Sequence, residues 1–226
     1  MSSNVTLGIT TSGPVAAAVI IGNAAVDQRS TGAASDKPAL AGTLASVMEV
    51  LRAANISLDA VDLIAVCTGP GSFTGLRIGV AFAKSVAQAR SIPIAGVSAY
   101  DVAAYDMKPA IYPRASIVEG KRGYSYARIL GAADTPAEFI HGPTEDVQRA
   151  LYAHACARLA DVPAQERTLR VALIGRARFA AGEDAAWRSV VIDYGQQPNA
   201  VTNWEARRST PQRGGGPSAA NHRRHR

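Results

Sequence analysis

The residues best placed to do chemistry lie between Leu63 and Gly79, in the run LIAVCTGPGSFTGLRIG. An apolar, β-branched stretch from Leu63 to Cys67 predicts a buried strand. Gly69, Pro70 and Gly71 then turn the chain, and Ser72 or Thr74 stands where a helix N-cap belongs. In such a strand-loop-helix unit, glycines admit close approach of a ligand, and the free N–H groups and helix dipole favour an anion. Gly69, Gly71, Ser72 and Thr74 are therefore candidate phosphate contacts. The same pattern also describes a tight β-α turn whose glycines serve only the backbone. A P-loop is excluded, because Ile78 and Ala83 occupy both glycine positions ahead of Lys84 and Ser85. So is the dinucleotide fingerprint, since Thr74 replaces its third glycine. No histidine or carboxylate lies near enough in sequence to activate Ser72 or Thr74, so no catalytic residue is assigned. Asp59 and Asp62 sit at the far end of the strand and read as solvated turn residues.

The elements that must hold this loop follow from periodicity. Val5 to Thr10, Val15 to Ile21 and Ala24 to Arg29 read as strands, joined by turns at Gly13-Pro14 and Gly22-Asn23. A helix is predicted from Pro38 to Ala54, with Leu40, Leu44, Val47 and Leu51 as its apolar stripe. The Leu63 to Cys67 strand comes next, then a helix from Gly75 to Arg90. Leu76, Val80, Ala83 and Ala87 form one apolar face of this helix and Ile78, Phe82, Val86 and Ala89 another, so it is either deep in a core or covered by a partner. Farther on, Ala115 to Glu119, Tyr124 to Leu130 and Glu138 to His141 predict strands, and Thr144 to Leu159 a helix capped by Thr144. Leu169 to Ile174 predicts a further strand, and Gly175 opens a short helical segment. The order is β-β-β-α-β-α, given twice.

With 226 residues, 47% of them hydrophobic, the chain can build sizeable cores. Its longest apolar stretch, Pro14 to Ile21, is far shorter than the roughly 20 residues that span a bilayer. The N-terminus lacks the basic region of a signal peptide, which leads us to expect a cytoplasmic protein. Cys67 and Cys156 read as reduced, buried thiols, and His141, His154, His222 and His225 are too scattered to hold a metal. Six arginines (Arg207, Arg208, Arg213, Arg223, Arg224, Arg226) in the last 20 residues account for the whole formal net charge of +6. The rest of the chain is formally neutral and offers RNA no net basic footprint. The Gly/Pro/Ser/Arg tail, 207–226, has a disordered composition that either solubilises or touches phosphates weakly.

GPGSFTGLRIG, followed by AFAKSVAQA and then SIPIAGVSAYDVAA from Ser91 to Ala104, resembles the TsaB (YeaZ) family of bacterial tRNA threonylcarbamoyladenosine biosynthesis proteins. IVEGKRGYSYARI, from Ile117, is similar to a second family segment through Glu119, Lys121, Arg122, Gly123 and Tyr126. The resemblance implies the α/β superfold of actin-like ATPases, sugar kinases and Hsp70, with halves at 1–106 and 107–206. It implies a non-catalytic dimerisation subunit that binds a TsaD-like transferase as a heterodimer and works with a TsaE-like ATPase and, through the complex, tRNA. Without the partner, the alternatives are a homodimer and a monomer. Phe73, Leu76, Arg77, Val80, Ala83, Lys84 and Ala87 would then contribute to the partner interface. Glu119, Lys121 and Arg122 would join the glycine loop in contacting ATP or ADP at the complex interface. Two departures stand out: Thr10 replaces the aspartate that ends the family's first strand, and the Pro-x-Tyr-x-Arg ending is missing, with only Pro198 and the distant Trp204 to Arg207 in its place. A neutral hydroxyl contributes little to Mg²⁺ binding. That weighs against the alternative of an active phosphotransferase or hydrolase of the superfold; a module binding RNA through its arginine tail is the other alternative.

Overall fold

A computed structural model describes residues 5–22, 24–31, 39–105, 113–120, 122–131, 135–154, 157–158 and 164–195. Strand β1 (Val5–Thr10) is buried on both faces, as its run of apolar and small residues requires. It pairs antiparallel with β2 (Val15–Ile21), which pairs with β3 (Ala24–Thr31). On its other side β1 runs parallel to β4 (Leu63–Gly69), and β4 to β5 (Ile94–Ser98), giving a five-stranded sheet of order β3-β2-β1-β4-β5.

Helices α1 (Ala39–Ala53) and α2 (Phe73–Arg90) pack side by side on one face of this sheet. Val47, Val50 and Leu51 of α1 join Val80, Ala83 and Ala87 of α2 and the side chains of Leu7, Ile9, Ile64 and Val66 in one core. The stripe predicted for α1 is only half correct. Val47 and Leu51 face inward, whereas Leu40, Leu44 and Met48 are 56%, 50% and 57% exposed. The inward face is completed by Val50 and by Thr43 and Ser46, small hydroxyl residues that apolar periodicity does not register.

The second half begins after α3 (Ala99–Ala103). Strands β6 (Arg114–Glu119), β7 (Tyr124–Leu130) and β8 (Glu138–Pro143) form an antiparallel sheet, which β9 (Ala157–Arg158) extends parallel to β6. Helix α4 (Thr144–Ala153) covers one face through Val147 and Leu151, against Ala115, Ala127 and Ile129. It ends at Ala153, short of the predicted Leu159, and Pro143 rather than Thr144 occupies its N-cap position. The Thr144 hydroxyl instead hydrogen-bonds that of Ser125, 2.8 Å away.

The strand predicted at Leu169 to Ile174 is part of a helix, α5 (Ala164–Ala180), which lies across the first sheet on the face opposite α1 and α2. Thr168, Ala172 and Gly175 form a row of small groups at helical spacing. A Cβ at Gly8 of β1 would come within 2.8 Å of the Ala172 Cβ, and one at Gly175 within 2.5 Å of the Ala65 Cβ. Helix and sheet therefore approach as closely as the backbone permits. The β-β-β-α-β-α order holds in both halves, with β9 as the late strand of the second. Residues up to Gly195 cohere as one compact unit. Lys121, Cys156 and the tail 207–226 lie outside the described residues, as do Pro198 and the Trp204 to Arg207 segment.

Candidate functional site

The glycine loop sits at the carboxyl end of β4, where ligands of open α/β sheets are commonly bound. Ser72 caps α2, its hydroxyl accepting from the Gly75 N–H at 3.4 Å. The peptide bond between Gly69 and Pro70 is cis. Gly69 (φ +106°) and Gly71 (φ +155°) adopt backbone angles that favour glycine. The space beside each is already filled by the chain itself. A Cβ at Gly69 would meet the Asp193 carbonyl oxygen, one at Gly71 the Ser12 carbonyl oxygen, and one at Gly75 the Thr11 carbonyl oxygen. The Ser72 N–H donates to the Ser12 oxygen at 2.6 Å, and the Asp193 N–H to the Thr68 oxygen at 2.8 Å. The carbonyls that line these cradles leave no room for a side chain, so the chain's own close packing is enough to account for the glycines at 69, 71 and 75. Of the two readings of the loop, the arrangement matches the tight turn.

Beneath the loop, the Thr10 and Ser12 hydroxyls are 3.2 Å apart, and the Cys67 thiol donates to Ser12 Oγ at 3.5 Å. Burial pushes the Cys67 thiol above its ordinary value, against the opposing pull of the Ser12 hydrogen bond. Thr10 itself is buried. Among the described residues, no group of three His, Cys, Asp or Glu side chains stands together to hold a metal, and no helix is long and apolar enough to cross a membrane.

Glu119 and Arg122 are exposed at the β6–β7 turn, with Arg122 in the left-handed region at φ +58°. Tyr126 links this turn to the loop. A Cβ at Gly120 would lie 3.1 Å from one edge of its ring, and a Cβ at Gly195 2.6 Å from the other edge and 2.8 Å from the Pro70 Cβ. The Tyr100 and Tyr126 hydroxyls are pushed above the ordinary phenol range, first by burial and further by the nearby Asp193 carboxylate. Alongside, Asp101 accepts from Arg128 at 2.7 Å and from Arg178 at 2.6 Å.

Leu76, Val80, Ala83 and Ala87, expected at a partner interface, fill the chain's own core. They sit on the sheet-facing side of α2, and the two apolar faces seen in the sequence differ in depth rather than in kind. Phe73 and Arg77 do face outward, and Lys84 is half-buried. Phe73 stacks on Tyr194, ring centroids 4.7 Å apart. The Arg77 guanidinium lies 3.9 Å over the Phe73 ring, and its Nε donates to the Tyr194 hydroxyl at 3.0 Å. Tyr194 belongs to a strap, residues 185–195, that starts beside β5, where the Ile94 N–H donates to the Ala185 oxygen. It then buries Val190 in the core and ends over the glycine loop. Periodicity carries no signal for such a strap. Asp193-Tyr194-Gly195 offers only a turn signature, in which the Gly195 N–H donates to Asp193 Oδ1 at 2.8 Å.

The two sheets with their helices, and the loop between β4 and α2, give the chain a mixed α/β fold of the actin-like ATPase type. Within that class its fold is that of the TsaB (YeaZ) proteins, as the GPGSFTGLRIG resemblance implied. YeaZ from Pseudomonas aeruginosa superposes with a TM-score of 0.59 at 20% identity, over 86% of this chain and 100% of that one. A structure described as an uncharacterized protein with similarity to peptidase YeaZ from Pseudomonas aeruginosa gives 0.63 at 20% identity, over 87% and 100%. A family model described as TsaD, tRNA N6-adenosine threonylcarbamoyltransferase, matches residues 41–140. Curated proteins called tRNA N6-adenosine threonylcarbamoyltransferase also match in sequence. The one from Geobacter metallireducens is 50% identical over 50 residues, 22% of this chain and 15% of that protein. The one from Geobacter sulfurreducens is 37% identical over 86 residues, 36% and 25%. The matched segments thus span a quarter or less of the length of these curated relatives.

Proposed function

We propose that this protein acts in the tRNA threonylcarbamoyladenosine system as a non-catalytic scaffold that pairs with a TsaD-like transferase subunit. The observation that carries this reading is the outer face of α1 and α2. Leu40, Leu44 and Met48 recur at i, i+4 and i+8 and stay half exposed, an apolar stripe that a lone soluble chain has reason to cover. Phe73, 42% exposed at the start of α2, lies on the neighbouring helix. The YeaZ fold and the sequence likeness to threonylcarbamoyltransferases support the same system. The filled glycine cradles and the neutral Thr10 favour a scaffold over an independent ATPase.

Co-purification with the transferase subunit of the same organism, read by size-exclusion chromatography with light scattering, tests the reading. A one-to-one complex is expected, and Leu44→Glu with Met48→Glu should abolish it without lowering the melting temperature, because both side chains are outside the core. A chain that stays apart from the transferase, or a complex indifferent to the double substitution, overturns this assignment. Turnover of ATP by the pure protein would favour the phosphotransferase reading instead.

A further inference from the structure

The strap is held by two unlike attachments. The inner one is apolar: Val190 is buried in the core shared by α1, α2 and the first sheet, and Ile192 packs half-buried against it. The outer one, Asp193 to Gly195, is polar. The Asp193 N–H donates to the Thr68 oxygen at the end of β4, the Gly195 N–H to Asp193 Oδ1, and Arg77 Nε to the Tyr194 hydroxyl. Asp193 is exposed, and Tyr194, which alone of the three offers apolar surface of any size, lies on a Phe73 ring that is itself exposed. A segment held mainly by exposed hydrogen bonds, with little buried apolar surface, opens at a lower free energy than the core beside it. These residues nonetheless touch three elements at once. The Asp193 carbonyl fills the place of a Gly69 side chain, Tyr194 is fixed to α2, and the open side of Gly195 faces both the Tyr126 ring of β7 and Pro70 of the glycine loop.

We propose that Asp193, Tyr194 and Gly195 form a latch between the two halves of the chain, hinged beside Ile192. Closed, the latch joins α2 and the glycine loop to the second sheet. Open, it uncovers Gly69, Pro70 and the Tyr126 ring, which is buried in the closed form, while Val190 keeps the rest of the strap in the core. Tyr194 is the catch and Arg77 its keeper: the guanidinium lies 3.9 Å over the Phe73 ring, so its Nε is presented to the hydroxyl in a fixed direction. Gly195 carries the state of the catch across to β7, because any side chain there would collide with Tyr126 and Pro70, and its φ of +67° suits glycine. The latch stands independently of the scaffold reading, since it needs only contacts within this chain.

Hydrogen exchange and hydroxyl-radical footprinting of the full chain, both resolved by residue with mass spectrometry, test the latch. The Asp193 and Gly195 amides should exchange well before those of β1, and Tyr194→Phe, which removes only the hydroxyl, should speed them roughly three- to tenfold. Arg77→Met keeps the stem and removes the donor, and should do the same; the double variant should go no further than either alone, because both act through one hydrogen bond. Gly195→Val, for which there is no room, and Tyr194→Ala, which removes the catch without a clash, should each hold the latch open and raise oxidation of Tyr126 severalfold, with β1 exchange at the parent level. The proposal is overturned if the Asp193 and Gly195 amides exchange only together with β1, which would make the strap an integral part of the core. It is equally overturned if Tyr194→Ala speeds those amides and leaves Tyr126 as protected as in the parent, which would make the segment a fraying end that connects nothing.

Discussion

Replacing Gly175 with valine tests how α5 is seated. The first new carbon would lie 2.5 Å from the Ala65 Cβ, whereas non-bonded carbons settle at about 3.5–4.0 Å. Helix and sheet must therefore separate by about an ångström or the neighbouring side chains must shift, and such overpacking typically costs about 1–3 kcal/mol. Against this, valine is a better helix former than glycine by about 0.5 kcal/mol. The net loss is then roughly 0.5–2.5 kcal/mol, which for a fold of this size lowers the melting temperature by about 1–10 °C. Differential scanning calorimetry of the full chain reads it, with Ala177→Val as the control, because Ala177 is exposed on the same helix and should change stability by no more than about 0.5 kcal/mol. A Gly175→Val protein that melts at or above the parent temperature would refute the seating of α5 on β4. It would revive the strand once expected at Leu169 to Ile174.

Two further outcomes follow from buried groups. Burial keeps Cys67 protonated above its ordinary value of 9.0, so the folded chain binds that proton more tightly than the unfolded one. This contribution is intact below about pH 9 and is lost as pH rises beyond it; melting curves between pH 8 and pH 10.5 should fall more steeply for the parent than for Cys67→Ala, and equal slopes would contradict it. Asp101 is the shared acceptor of Arg128 and Arg178, whose side chains are only 17% and 30% exposed. Asp101→Ala takes the carboxylate from Arg128 and leaves Arg178 with the Gly96 carbonyl at 2.8 Å and the Glu183 carboxylate at 3.7 Å; it is expected to cost about 1–3 kcal/mol in urea denaturation, with a loss under about 0.5 kcal/mol counting against the pairing.

Much of the first half was legible because its signals are local. The strands Val5–Thr10 and Val15–Ile21 and the strand-turn-helix at Leu63–Arg90 announce themselves by β-branched runs, turn glycines and a serine cap. What stayed hidden depends on distant partners. The apolar run LRVALI fits a strand or a buried helix equally well. Only the row Thr168, Ala172 and Gly175, read against Gly8 and Ala65 far upstream, decides for the helix. The same holds for Leu76, Val80, Ala83 and Ala87, whose type marks them as apolar but whose direction is set by the sheet beneath. Thr10 was legible as a departure. The strap was not, since Tyr194 meets Arg77 across 117 positions of sequence.

The reach of α5 makes the two halves interdependent. A helix from the second half supplies the cover for the first sheet, so the polypeptide behaves as a clasp rather than as two beads on a string. A gene fragment that stops at residue 106 encodes every strand of the five-stranded sheet and both helices that cover its first face. It leaves Gly8 and Ala65 facing water. The outer face of α1 and α2 is therefore tied to the C-terminal half: what is presented on one side of the sheet depends on what is delivered, more than 60 residues later in the chain, to the other.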